Sequence, residues 1–289
     1  MPSSPLHAPV LEWYAGNARD LPWRSPGTTA WGVLVSEVML QQTPVARVEP
    51  VYRAWLERWP TPAALAREPA GEAVRAWGRL GYPRRALRLH AAATEVVARH
   101  DGRLPTTYAG LRALPGVGDY TAAAVASFAH GARHAVLDTN VRRVLARAVG
   151  GTQQPAPTLT AAERARAEAL LPDEPAVAAR WAVAVMELGA LVCTARTPRC
   201  GGCPVRDLCA WRAAGHPEYT GPRKAVQTYA GTDRQVRGLL MAVLRDRPGP
   251  ADAAELATVW PDDAQRDRSL AGLVADGLLI QDAGSYRLP

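Results

Sequence analysis

Residues 114–129 read LPGVGDYTAAAVASFA, in which Gly116 and Gly118 flank Val117 immediately before an alanine-rich segment. The spacing predicts a tight turn that leads into a helix, because glycine tolerates turn conformations and alanine favours the helix. Such a turn exposes the backbone N–H groups at a helix N-terminus, where they can bind a phosphate. Gly-x-Gly alone is equally typical of a plain connection between helices. The basic charge of this part of the chain favours the phosphate interpretation.

Apolar residues at helical spacing recur on both sides of this turn. Between residues 31 and 212 they are interrupted by Pro- and Gly-containing breaks, and no alternating strand pattern occurs. We therefore expect a mainly α-helical protein. Residues 212–230 lack periodicity and are interpreted as a linker. Residues 231–289 predict three helices and a terminal two-stranded hairpin, which together resemble a winged-helix domain.

The chain has 289 residues and a formal net charge of +7, with room for two or three packed domains. Residues 231–289 hold seven arginines against nine acidic residues, so a polyanionic partner should mostly meet the first 230 residues. Arg266 and Arg268, on the third helix of this last segment, are its candidates for a phosphate contact. The N-terminus lacks the pattern of a signal peptide, and Glu187 interrupts the most apolar run, so we expect a cytoplasmic protein without a membrane partner.

The four cysteines fall within seventeen residues, with the spacing C-x6-C-x2-C-x5-C: Cys193, Cys200, Cys203 and Cys209. Disulfides are not expected in a chain without export signals, so the cluster indicates a metal site. A zinc ribbon usually has two C-x2-C pairs, whereas this chain has one. Four thiolates from one irregular loop suit a 4Fe–4S cluster equally well. The spacing alone leaves both possibilities open.

An apolar helix is predicted within WGVLVSEVMLQQTP at 31–44, yet it carries Glu37, Gln41 and Gln42. Taken alone, the stripe formed by Ser36, Glu37 and Gln41 is compatible with a solvent-exposed face.

The segment AVLDTNVRRVLARAV at 135–149 also combines polar residues with an apolar helical pattern. Its aspartate, Asp138, stands at the start of a helix, and a helix N-cap is the common meaning of that position. Three arginines follow and are expected to face solvent or a phosphate backbone: Arg142, Arg143 and Arg147.

Seven segments together resemble the helix-hairpin-helix DNA glycosylase superfamily, and within it the MutY-type adenine DNA glycosylases. They are LPWR (21–24), SEVMLQQT (36–43), GYP (81–83), LPGVGDYTA (114–122), LDTNVRRV (137–144), MELGA (186–190) and the four-cysteine loop. The resemblance implies an iron–sulfur lobe from 1–30 and 134–211, a six-helix lobe from 31–133 with the hairpin, a linker at 212–230 and a winged-helix-like domain at 231–289. It also implies a 4Fe–4S cluster and double-stranded DNA with a mispaired adenine as the partner. We expect a monomer.

The resemblance assigns roles to individual residues. Glu37 matches the family's catalytic acid and Asp138 its second catalytic carboxylate, with Tyr120 and Asn140 close to both. Arg24, Leu40 and Glu187 match the lining of the adenine pocket. The positions that match DNA contacts are Gln41, Gln42 as the wedge in the base stack, Tyr82 as the inserted aromatic, and Gly116, Val117 and Gly118 of the phosphate-binding hairpin.

These residue types suit removal of a flipped-out adenine. Adenine leaves readily only after its N7 is protonated, and burial of Glu37 among Val33, Leu34, Val38 and Leu40 would raise its pKa enough to hold that proton. An ionised Asp138 would stabilise the oxocarbenium-like sugar.

The lysine count predicts that the chain acts without a Schiff base. Relatives resembling endonuclease III have a lysine at the position of Tyr120, whereas the one lysine of this chain, Lys224, lies outside every motif. A monofunctional glycosylase is therefore expected. The alternatives are a mismatch thymine or uracil glycosylase of the same fold, which would not need Glu37, and an iron–sulfur DNA-binding regulator, which would leave the two carboxylates without a task.

Two features depart from the family pattern. The segment 231–289 is shorter than the Nudix-like C-terminal domain that reads 8-oxoguanine, so a preference for 8-oxoguanine over guanine opposite the adenine is not implied. Pro83 stands where many relatives have a second tyrosine.

Overall fold

The computed structural model describes residues 4–222 and 229–289, which are mainly α-helical, as predicted. The helices of this part of the chain are α1 His7–Asn17, α2 Ala30–Leu40, α3 Val45–Arg58, α4 Pro62–Ala66, α5 Ala70–Trp77, α6 Arg84–Arg99, α7 Tyr108–Arg112, α8 Asp119–His130, α9 Thr139–Ala148, α10 Ala161–Ala169, α11 Pro175–Leu191, α12 Ala210–Ala213, α13 Asp233–Arg245, α14 Ala253–Ala257 and α15 Asp263–Ala275. Short 3-10 turns occupy Pro22–Arg24, Cys200–Gly202 and Arg206–Leu208. Among the described residues, no helix is both long and apolar enough to cross a membrane.

Three short strands follow α13 and α15 in the C-terminal segment: β1 Ala251–Asp252, β2 Ile280–Asp282 and β3 Ser285–Arg287. They form an antiparallel sheet in the order β1-β3-β2, with Ala251 opposite Tyr286 and Ile280 opposite Arg287. The three helices and the terminal hairpin expected in 231–289 are thus present.

The described residues group into two units by their contacts. One contains 4–33, 106–112 and 118–222, and the other contains 34–105, 113–117 and 229–289. The C-terminal segment therefore shares a unit with α3 to α6. The division into lobes, linker and C-terminal domain derived from the sequence stays a prediction, and residues 223–228 of that linker, with Lys224, lie outside the described residues.

Helices α1, α9 and α11 build the core of the first unit. Val10, Val144 and Leu188 come from these three helices and are all buried together. Gly189 on α11 allows the close approach, because a Cβ there would lie 2.7 Å from the Cβ of Asn140 on α9. The packing of α11 thus fixes the position of the first turn of α9.

Three tryptophans pack together in the core of the second unit. Trp55 meets Trp59 and Trp77 edge to face, at ring-centroid distances of 4.7 and 5.8 Å. The C-terminal segment is bound to the same unit through backbone groups: Arg75 donates to the carbonyl of Arg247 at 2.6 Å, and Arg245 donates to the carbonyl of Gly78 at 2.6 Å.

Candidate active site

Helix α2 buries the carboxylate that the sequence singled out. Glu37 is 6% exposed and Ser36 is fully buried, as are the neighbouring Leu34 and Val35. A solvent-exposed stripe is therefore not what these residues form. A carboxylate in such surroundings needs a specific reason, since burial of an ionised acid is costly.

Helix α2 ends at Leu40, earlier than the sequence pattern suggested, so Gln41 and Gln42 lie in the following turn. Gln42 is exposed and adopts a left-handed φ of +54°, which ends the helix before Pro44. An exposed side chain on a strained backbone is typical of a residue that contacts a ligand or partner.

Arg85 on α6 binds the backbone of the turn that follows α2. No role was predicted for this residue from the sequence. Its Nη1 donates to the carbonyls of Val38 (2.8 Å), Met39 (3.1 Å) and Gln41 (2.6 Å). Its Nη2 donates to Thr43 Oγ1 at 3.1 Å and to the carbonyl of Gly81 at 3.0 Å. Burial lowers the pKa of Arg85 to about 10. One guanidinium therefore joins the turn after α2 to the turn that carries Tyr82.

The glycine turn has the conformation expected from its sequence. Gly116 has a φ of +75°, and a Cβ there would meet the side chain of Arg88. Gly118 caps α8 and has open space around the position of a Cβ, whereas Val117 between them is buried. Another molecule can thus approach the start of α8 closely at Gly118.

Asp138 is the N-cap of α9. Its Oδ1 accepts from the backbone N–H of Val141 at 2.6 Å, and its Oδ2 accepts from Nδ2 of Asn140 at 2.7 Å. Burial raises the pKa of Asp138, and these two hydrogen bonds oppose that rise. Tyr120 packs against the cluster that contains Val136, two residues before Asp138.

Arg143 connects Asn140 to the cysteine loop. It donates to Oδ1 of Asn140 at 2.8 Å, to the carbonyl of Gly189 at 2.7 Å and to the carbonyl of Cys193 at 2.7 Å. A continuous line of hydrogen bonds therefore runs from the first cysteine of the loop to Asp138.

The expectation that the arginines of α9 face solvent or phosphate is wrong. Arg143 and Arg147 are 8% and 1% exposed, and Arg142 pairs with Glu163 at 2.9 Å. The carbonyl groups that they bind come from distant segments, namely the end of α11, the cysteine loop and residues 156–158. Helical spacing gives no sign of these partners.

The four cysteines line one cavity together with Val192, Pro198, Trp211 and three arginines, Arg147, Arg206 and Arg212. Arg147 donates to Sγ of Cys193 at 3.4 Å and to the carbonyls of Thr194 (2.7 Å) and Ala195 (3.1 Å). Its guanidinium also lies 4.8 Å from the ring centroid of Trp211. Burial raises the pKa of the Cys203 thiol to about 11, so a bound metal is needed to hold it as a thiolate. Four thiols among arginines and apolar groups fit an anionic iron–sulfur cluster.

Glu187 on α11 is fully buried and is bound by two arginines. Arg19 donates to it through Nε at 2.8 Å and Nη2 at 2.7 Å, and Arg24 donates through Nη2 at 3.0 Å. Burial alone would raise the pKa of Glu187, but these hydrogen bonds and the charge of Arg24 lower it to about 2. Arg19 was missed in the sequence, although a glutamate within an apolar helix signals that a cation must lie nearby.

The expected site residues thus form several groups. The structure brings Arg24 together with Glu187, and Asp138 together with Asn140, all in the first unit. Glu37, Leu40, Gln41, Gln42, Tyr82, Gly116 and Val117 belong to the second unit. The four cysteines line their common cavity.

Comparison with known proteins places this site in a family. The pattern of the HhH-GPD superfamily base excision DNA repair proteins matches residues 35–168, and that of the iron–sulfur binding domain of endonuclease III matches residues 193–209. The adenine DNA glycosylase of Mycobacterium tuberculosis is 52% identical over 97% of this chain and 92% of the relative. That of Mycolicibacterium smegmatis is 54% identical over 95% of this chain and 92% of the relative.

The chain belongs to the adenine DNA glycosylase family. The solved structure of a thermostable thymine-DNA glycosylase has the same fold, with a TM-score of 0.64 and 27% identity over 72% of this chain and 94% of that chain. The iron–sulfur match includes all four cysteines, so the 4Fe–4S cluster expected from the resemblance is confirmed as the cofactor of this adenine DNA glycosylase family member.

Proposed function

We propose that this enzyme removes adenine mispaired with 8-oxoguanine or guanine in double-stranded DNA. It hydrolyses the N-glycosidic bond and leaves an abasic site without cleaving the strand. It acts as a monomer in the bacterial cytoplasm, at the nucleoid. Two observations support this proposal: the sequence identity to adenine DNA glycosylases and the geometry of the residues described above.

The hydrogen bonding of the Arg24 guanidinium carries the proposal. Its Nη2 is fixed on Glu187, while its Nη1 is buried and, within the described part of the chain, has no hydrogen-bond partner. A buried donor without an acceptor is costly, so a ligand that supplies one is favoured. The ring nitrogens of an extruded adenine are such acceptors. Glu187 already accepts four hydrogen bonds from Arg19 and Arg24 and therefore serves to orient Arg24.

Glu37 and Asp138 perform the chemistry. Glu37 donates a proton to N7 of adenine, and the C1′–N9 bond breaks with its electron pair leaving on the base. The ionised carboxylate of Asp138 stabilises the positive charge on C1′ until water adds there. The proton released by that water restores the acid. Asn140 keeps Asp138 oriented through its 2.7 Å hydrogen bond.

Gln42 and Tyr82 hold the duplex open. Both are exposed, both have positive φ values (+54° and +49°), and Arg85 connects the two turns that carry them. Flipping a base leaves a gap in the stack, which an amide and an aromatic ring can fill. Gly116, Val117 and Gly118 form the turn that binds a backbone phosphate beside the site.

The cluster would serve as a structural centre. Cys193, Cys200, Cys203 and Cys209 would hold the cluster, which would fix four points of one loop, and Arg143 and Arg147 attach that loop to α9. The position of Asp138 at the start of α9 therefore depends on the loop.

One experiment tests the function and its rivals. Duplexes with A opposite 8-oxoguanine, A opposite guanine, T opposite guanine and U opposite guanine are incubated with the protein and then cleaved with alkali. Products only from the adenine strands, lost in Glu37→Gln and Asp138→Asn, support the proposal. Products from the T or U strands indicate a mismatch thymine or uracil glycosylase, and no product from any duplex indicates a DNA-binding regulator. Strand cleavage without alkali contradicts monofunctional action.

A further inference from the structure

Tyr82 is flanked by arginines from two parts of the second unit. The guanidinium of Arg85 on α6 lies 5.6 Å from its ring centroid, and that of Arg234 on α13 lies 5.0 Å from it. Arg234 also lies 5.8 Å from the ring centroid of Tyr229. Tyr82 and Tyr229 are 46% and 54% exposed, and Arg234 is exposed as well. The C-terminal segment thus adds a cation and an aromatic ring at the surface of Tyr82.

Two acids of the C-terminal segment are already bound by arginines other than Arg234. Asp233 accepts from Arg268 at 3.0 Å, and Asp276 pairs with Arg84 at 3.1 Å and with Arg237. Among the described residues, no carboxylate forms an ion pair with Arg234 itself. Its charge is therefore available to an outside anion.

Arg266 and Arg268, for which the sequence suggested phosphate contacts, are both paired with acidic residues of the protein. Arg266 is 9% exposed and pairs with Asp263 at 2.7 Å, and Arg268 is held by Asp233. The third helix of the C-terminal segment therefore does not offer the free cation that the sequence suggested. Arg234 on its first helix does.

We propose that Arg234, stacked on Tyr82, binds a backbone phosphate of the duplex at the step where Tyr82 inserts. This inference rests on the proposed insertion of Tyr82 and assigns the C-terminal segment a part of the DNA-binding surface, although the segment carries more acidic than basic residues. A guanidinium that stacks on a ring through its face keeps its N–H edge directed outward, and that edge matches the geometry of a phosphate. The ring contact also reduces the freedom that Arg234 would lose on binding.

The test measures equilibrium binding to a fully paired duplex, which needs no base excision, over a series of salt concentrations. Arg234→Ala and Arg234→Gln are compared with Arg287→Ala, a matched control that removes an exposed arginine from β3. We expect both Arg234 variants to weaken binding by about threefold to tenfold and to reduce the slope of log K against log salt by about 1. The control should keep the wild-type slope, and circular dichroism should show all three variants folded.

A second comparison tests the role of the ring. In a Tyr82→Leu background, the loss caused by Arg234→Ala should be smaller than in the wild type, because the ring no longer orients the guanidinium. Unchanged slopes in both Arg234 variants, or a reduced slope in Arg287→Ala alone, overturn the inference. If the wild type removes no adenine, the proposed function fails while the binding result stands. If it removes adenine but the slopes are unchanged, only the role of Arg234 fails.

Discussion

Asn140 donates a 2.7 Å hydrogen bond from Nδ2 to Oδ2 of Asp138, and its own Oδ1 accepts from Arg143 at 2.8 Å. The amide is therefore held in one orientation, with its donor group on the carboxylate. This arrangement favours the ionised form of an acid whose burial favours the neutral form.

Asn140→Ala should move the acid limb of the single-turnover rate profile to higher pH. Asp138 acts in its ionised form, so activity falls as the pH drops through its pKa, and loss of the donor raises that pKa further. A hydrogen bond to a charged group contributes about 1.5–3 kcal/mol, which corresponds to a rate loss of roughly 10- to 100-fold on the acid limb, where the pH lies below the pKa, and to little change on the plateau above it. Thr139→Ala, an exposed change on the same turn, should keep the wild-type profile. A uniform loss of rate at every pH would contradict this role.

Arg147→Met should release the cysteine loop. The substitution removes the donors to Cys193 Sγ and to the carbonyls of Thr194, Ala195 and Gln153. We expect less iron per protein and weaker visible absorbance after purification. The free energy of unfolding should fall by at least about 3 kcal/mol, because several buried carbonyls lose their donors.

Arg142→Met is the control for the cluster, since Arg142 lies on the same helix but binds Glu163 and the carbonyls of residues 156 and 158. It should retain the full iron content. Equal iron loss in both variants would show that α9 as a whole, rather than Arg147, supports the loop.

Gly189→Ala should reduce activity through packing alone. The added Cβ would lie 2.7 Å from the Cβ of Asn140 and 2.9 Å from its carbonyl oxygen, so α9 must move. Overpacking of this kind costs about 1–3 kcal/mol of stability, and it displaces Asn140 from Asp138. Gly16→Ala on α1 meets nothing within 4 Å and should stabilise the protein by up to about 1 kcal/mol. Thermal unfolding and adenine release measured on both variants check the contrast, and equal effects would refute it.

Glu187→Gln should destabilise the protein in a pH-dependent manner. The pKa of Glu187 is lowered from 4.5 to about 2, so its ionised form stabilises the fold above pH 4.5 by on the order of 3 kcal/mol. That contribution is lost as the pH falls from 4.5 towards 2. The difference in urea unfolding free energy between wild type and variant should therefore be large at pH 7 and shrink below pH 4.5.

Glu168→Gln replaces an exposed glutamate in the same unit and should have little effect at any pH. A constant difference between wild type and Glu187→Gln across the pH range would show that the contribution of Glu187 does not depend on its charge.

Much of the site could be inferred from local sequence because local physics produces it. The turn at Gly116 needs a positive φ, and Asp138 caps α9 with an oxygen on a backbone N–H three residues ahead. The four cysteines lie on one short loop, so their spacing alone indicated a metal site. Each of these features depends on neighbours within a few residues.

The sequence by itself determined the helical class, the capped aspartate, the glycine turn and the cysteine cluster. Only the tertiary structure decided which arginines face inward. Arg19, Arg85, Arg143 and Arg147 bind acceptors supplied by segments more than 30 residues away, whereas Arg234 is left exposed beside Tyr82. An arginine is thus exposed to solvent on one helix and buried on another. Its partners are backbone carbonyls and carboxylates that only the packing of distant helices brings within hydrogen-bonding distance.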